Sequence, residues 1–204
     1  MRKFKFSNIL ILSFLLVLSL VFLIPIIAVI SNSFKDRFSI SQSPFVLPNS
    51  ATFAGVENYI KGINDTGFIS AFFWSIFITV TSVAIIVLFT AMTAWYITRI
   101  KSRINSALYY LFVFSMIVPF QMVMFTMSKI ANTLRLDNPL GLIFIYLGFG
   151  AGLSVFIFSG FVKSIPISLE EAAIIDGCNV FGTFWQVVFP ILKPTAITVA
   201  ILNT

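Results

Sequence analysis

The chain has 204 residues, 59% of them hydrophobic and only 10% charged, with a mean hydropathy of +1.04; soluble domains carry about 25% charged residues, so repeated membrane spans are the natural home for this much apolar surface. Thirteen Lys and Arg against seven Asp and Glu give a net +6 and an isoelectric point near 9.7, yet the basic residues flank apolar runs in short clusters, which orients spans and does not build a nucleic-acid surface. With no His and one Cys, a zinc site, an internal disulfide and Ser-His or Cys-His catalysis are excluded.

The first apolar run, Asn8 to Ile30, follows Arg2, Lys3 and Lys5. It is longer than the about 7–15 apolar residues of a signal peptide and no A-x-A site follows, so it reads as an uncleaved span. Residues 31–67 hold Pro44, Pro48, Gly55 and Gly62 among Phe45, Val46, Leu47, Phe53 and Tyr59, which predicts a small lip packed on the spans. The second run, Phe68 to Ile97, exceeds a hydrocarbon core of about 30 Å at 1.5 Å per residue and should tilt or protrude.

The third run, Ser106 to Phe125, is interrupted by Pro119-Phe120-Gln121. Pro119 frees a backbone carbonyl and Gln121 sets an amide at membrane depth, where polar groups are costly and often functional. Both are candidates for a substrate pathway; the equal alternative is a kinked helix with Gln121 bonded to a neighbour. Leu140 to Val162 forms the fourth run. Ser75, Thr79 and Ser82 on one helical face, and Gly148 with Gly152, read first as close helix packing. The fifth run starts at Pro194 and stops about eleven residues later at Thr204, against the roughly 20 that a spanning helix needs. The expected fold is therefore an all-α, multi-pass helical bundle truncated in its fifth span, divided into residues 1–69 and 70–204.

Placing the N-terminus in the cytoplasm puts Arg2, Lys3, Lys5, Arg99, Lys101, Arg103, Lys163 and Lys193 inside, with Lys35, Arg37, Lys61, Lys129 and Arg135 outside. Eight against five favours that orientation.

Between the fourth and fifth runs lies a polar, Pro- and Gly-punctuated loop, about residues 164–193. Ser168 with Glu171 three residues later has the form of a capping box. The helix so begun should end near Asp176, with Gly177 as a left-handed cap. Asn179 is placed to cap a second helix whose Phe181, Phe184, Trp185 and Val188 recur on one apolar face. Pro190 and Pro194 should break that helix and launch the fifth span. The plain account makes Glu171 a capping residue, Gly177 a helix stop and the aromatic face an interfacial surface on the bilayer. The other account makes this exposed apolar surface a partner site.

Glu171-Ala172-Ala173, Gly177 and Val187-Val188-Phe189-Pro190 together resemble the EAA loop of ABC-importer permeases. Asn32-Ser33-Phe34-Lys35, Asn58-Tyr59, Ile117 to Met122, Ile165-Pro166 and Asp176-Gly177 are similar to the carbohydrate class of that family, of maltose and glycerol-phosphate type. The resemblance implies a type I importer permease in the bacterial inner membrane. It implies a partner permease forming a heterodimer, ABC ATPase subunits and an extracytoplasmic substrate-binding protein. Glu171, Ala172, Ala173, Asp176, Gly177 and Pro190 would then couple to the ATPase, with Glu171 paired to a basic residue there. No Walker A pattern occurs, so the chain is expected to be no enzyme and to bind no cofactor or metal, ATP being hydrolysed in trans. The alternatives are a secondary transporter, disfavoured because no charge lies deep in the placed spans, and a truncated remnant without transport.

Overall fold

The computed structural model describes residues 6–204, with side chains from Leu10 onward. The described residues are helical apart from turns and one isolated bridge, and form two compact units divided between Ala71 and Phe72.

In the first unit, α1 (Phe6–Ser33) is apolar enough to cross a membrane over Leu10–Ser33. Two short helices follow, α2 (Arg37–Gln42) and α3 (Glu57–Asp65). The segment between α1 and α3 is held by a polar knot. Lys35, only 1% exposed, donates from Nζ to the Ser43 carbonyl at 2.8 Å. Asn58 Nδ2 donates to the Ser33 and Lys35 carbonyls at 2.9 and 2.7 Å. The Phe34 ring lies against Phe53 and Tyr59, with centroids 6.2 and 5.6 Å apart. Saturating the backbone carbonyls at a chain reversal fixes the lip, where apolar packing alone would let it slide. The lip packed on the spans that the sequence predicts is thus corrected: Phe45, Val46, Leu47, Phe53 and Tyr59 all stay exposed.

The second unit is built on α4 (Phe68–Arg99), α5 (Arg103–Ile117), α6 (Phe120–Thr133) and α7 (Pro139–Val162). The loop helices α8 (Ile167–Ile175) and α9 (Val180–Thr183) come next. A π-helical turn (Phe184–Val188) then leads into α10 (Phe189–Asn203). One core joins Ala91 and Ala94 of α4 to Val155, Phe158 and Val162 of α7 and to Phe184, Val188, Leu192, Ala196 and Val199. Small residues on α4 admit the larger ones, which close-packed helices require. Gly152 is such a contact: a Cβ there would lie 2.7 Å from the Phe112 carbonyl oxygen of α5. Gly148, its expected companion, faces open space.

The run 106–125 is broken where Pro119-Phe120-Gln121 interrupt it, α5 and α6 being bent by 103°, so the alternative of a single kinked helix does not hold. Val118 and Pro119 are both extended, as the residue before a proline prefers to be. Nor does the fifth helix start at Pro194: Val180–Asn203 is a continuous 24-residue helix of spanning length. The Phe189 amide reaches back to the Phe184 carbonyl, a wide turn that admits Pro190, which has no N–H to offer. Pro194 is carried inside α10 by the buried side chains around it, Leu192, Thr195 and Ala196. Packing overrides local propensity here.

Candidate functional site

The elbow of α8 and α9 is closed by hydrogen bonds of the backbone itself. At the end of α8 the Cys178 amide donates to the Ala173 carbonyl at 2.9 Å and the Gly177 amide to the Ile174 carbonyl at 3.0 Å. This pair is a Schellman motif, and it needs a left-handed residue at Gly177, whose φ is +90°. Asn179 then caps α9, its Oδ1 accepting from the Gly182 amide at 2.7 Å. Gly177 and Asn179 take the places expected from the sequence. Ser168 and Glu171 do not. The helix starts two residues earlier, at Ile167, with Pro166 at the cap position and no side-chain cap bond. Pro166 sets an extended backbone just after Ile165 enters the core, so the start is fixed by packing and proline geometry.

The two glutamates beside each other have opposite fates. Glu171 and Ala172 are exposed, as are Asp176 and Gly177 at the tip. Glu170 is 7% exposed and shares the inward face of α8 with Ala173, three residues on. Its carboxylate is held from α4. Arg99 Nε and Nη2 donate to Oε1 at 2.8 and 2.7 Å, and Trp95 Nε1 donates to Oε2 at 2.9 Å. Arg99 Nη2 also reaches the Ile165 carbonyl at 2.9 Å. Removing one partner of a buried ion pair costs about 3–5 kcal/mol, since the other charge is left unpaired. Trp95 and Glu170 do not stand out in the sequence, where Arg99 counts only towards orientation. Their signal was the four-residue spacing of Trp95 and Arg99 on one face of α4.

The expected aromatic face is divided. Phe184 and Val188 lie in the core, with the Phe184 ring 5.4 Å from that of Trp95. Phe181 and Trp185 are exposed. Together with Ile174, Ile175 and Val180 they leave the elbow with an uncovered apolar surface, Ile175 being 85% exposed and Phe181 65%. Pro190 is an exposed residue in the first turn of α10. Cys178 is half-buried, its Sγ 3.7 Å from Gln186 Oε1.

Of the candidate pathway residues, Pro119 is the N-cap of α6 and Gln121 an exposed residue of its first turn. The expected Ser/Thr stripe is graded: Ser75 is exposed, Thr79 half-buried and Ser82 buried with an unpartnered Oγ. Thr79 and Ser82 line a cleft of about 410 Å³ with Tyr146, Gly150 and Asn203. No group of His, Cys, Asp and Glu suited to a metal ion occurs among the described residues.

Residues 88–204 match the family model described as binding-protein-dependent transport system inner membrane component. The chain is 36% identical over 203 residues to the probable starch degradation products transport system permease protein AmyC of Thermoanaerobacterium thermosulfurigenes, covering 100% of this chain and 73% of that protein. It is also 36% identical over 185 residues to the multiple sugar-binding transport system permease protein MsmG of Streptococcus mutans, covering 89% and 65%. Among solved structures, it superposes on a chain of a bacterial ABC transporter involved in the import of the acidic polysaccharide alginate. That match has a TM-score of 0.79 at 25% identity and covers 100% of this chain and 72% of the other. The chain thus spans about two thirds to three quarters of these relatives' length.

Proposed function

The chain belongs to the family of inner membrane components of binding-protein-dependent transport systems, and from that premise we propose that it lines half of the path by which an ABC importer takes up a sugar or polyol derivative. Members are transport permeases, not enzymes, and membership sets aside the secondary-transporter reading. The N-terminus lies in the cytoplasm, which puts the elbow on the cytoplasmic side. There it seats in a separate ATPase subunit, Glu171 pairing with a basic residue and Ile174, Ile175, Val180 and Phe181 filling an apolar cleft. A second permease subunit completes the pathway, and an extracytoplasmic binding protein delivers the cargo.

The observation that carries this reading is the elbow itself. A rigidly closed turn holds uncovered isoleucines and an aromatic outward, while its opposite face is bonded into the core. Exposed apolar surface on a rigid mount is the form that a partner site takes. When ATP draws two ATPase subunits together, seated elbows shift the permease between inward- and outward-facing states, each favoured by different contacts. The sugar class is supported by the relatives' names, which concern starch products and multiple sugars. Hydroxyl and amide groups are what a sugar would meet, and Gln121 at the Pro119 break and the cleft at Ser82 supply them.

The test is Glu171→Lys. The variant should insert normally and lose its ATPase subunit on affinity capture in detergent. Full retention of the ATPase would remove Glu171 from the interface.

A further inference from the structure

We propose that Arg99 and Trp95 are positioning residues that lock the coupling helix α8 to the end of α4, so that the two move as one body between transport states. This rests on the docking reading above, but it concerns the inward face of α8, which is buried against α4. Three donors on two residues of α4 converge on both oxygens of Glu170, and a fourth bond from Arg99 holds the Ile165 carbonyl just ahead of α8. The helix is thereby gripped at its entry and at its first turn.

The kind of contact matters. Apolar side chains at a helix interface can slide past one another at little cost, whereas a charged fork on a carboxylate has one low-energy register. In its packing α8 otherwise meets α9 and the π turn, the arm that continues into α10. Without the grip at Glu170, a push on the elbow would reach α4 only through the apolar contacts of Phe184 with Trp95, Ala91 and Ala94. With it, the push is carried by charged hydrogen bonds into α4, a 32-residue helix of spanning length. The ion pair is 9–16% exposed at its side chains, so neither water nor salt competes strongly for it.

The experiment uses the complete transporter in lipid nanodiscs, with spin labels at Ser168 on α8, outside the residues assigned to docking, and Tyr96 on α4, both exposed. Distances are measured by pulsed electron resonance without nucleotide and after trapping with ATP and vanadate. In the parent the 168–96 distance should be the same in both states. In Glu170→Gln, which keeps the shape and removes the charge, it should broaden or shift on trapping while the ATPase subunit stays bound on affinity capture. Arg99→Lys, keeping the charge and losing the fork, should fall between. If Glu170→Gln does not insert, Trp95→Phe gives the same reading through loss of the indole bond alone. A parent distance that already changes between states, or variants that hold it as the parent does, overturns the proposal. Loss of the ATPase from Glu170→Gln also overturns it, because Glu170 would then serve docking. Retention of the ATPase by Glu171→Lys would instead count against the docking reading and leave the distance result independent.

Discussion

Cys178 and Ala173 are joined across the tip of the elbow: the Cys178 amide donates to the Ala173 carbonyl at 2.9 Å, and the loop so closed drives Gly177 to φ +90°. A Cβ at Gly177 would meet nothing within 4 Å, so the glycine is required by its backbone conformation alone. Gly177→Val should cost about 1–2 kcal/mol, and Gly177→Asn less, since Asn tolerates left-handed backbone. Hydrogen–deuterium exchange at the Cys178 amide should accelerate in the order Val, then Asn, then parent.

Gly152 and Gly148 separate packing from mere helix composition. A side chain at Gly152 would collide with the Phe112 carbonyl oxygen, which cannot move without the backbone of α5, and with Ser115 Oγ at 2.5 Å. Gly152→Val should lower thermal stability in detergent, by about 1–3 kcal/mol for an overpacked contact. Gly148→Ala meets nothing within 4 Å and should be neutral or slightly stabilising in the same melt.

The two phenylalanines of the elbow should part company. Phe184 is 1% exposed against Trp95, so Phe184→Ala should destabilise by about 3–5 kcal/mol. Phe181→Ala should leave the melting temperature nearly unchanged and weaken ATPase capture.

At the first unit, hydrogen bonds from Ser39, through its side chain and its amide, and from the Phe38 amide hold the Asp36 carboxyl below its ordinary value of 3.8. The sign follows from that direction. The cap on α2 contributes fully above the unfolded carboxylate value and is lost as pH falls through the lower folded value. A carbon NMR titration of Asp36 should find its midpoint under 3.8, and Asp36→Asn should abolish the transition while keeping an acceptor at the cap.

Much of this architecture was legible in the sequence, because glycine, proline and asparagine act locally. Gly177 and Asn179 act at the positions their backbone chemistry dictates. The rest depends on partners distant in sequence. The buried glutamate is Glu170 because Arg99 and Trp95, more than 70 residues away, face it. Helix periodicity separates Glu170 from Glu171 only once the inward face of α8 is known. Likewise Pro190 looks like a helix breaker until the core residues on either side of it, Val188 and Leu192, are seen to hold the helix through it. Asn32 to Lys35 and Asn58-Tyr59 carry the family resemblance separately, and the fold brings them into one knot.

On the reading proposed above, the elbow docks on an ATPase subunit from the cytoplasmic side. A photo-crosslinking benzoylphenylalanine placed at Ile175, the most exposed of its large apolar residues, tests this most directly in intact cells. A single crosslinked species containing the ATPase subunit is expected, and none from the same probe at Phe45 in the outer segment. Capture of lipid alone at position 175, or labelling of a cysteine there by a membrane-impermeant reagent added outside the cell, would contradict it.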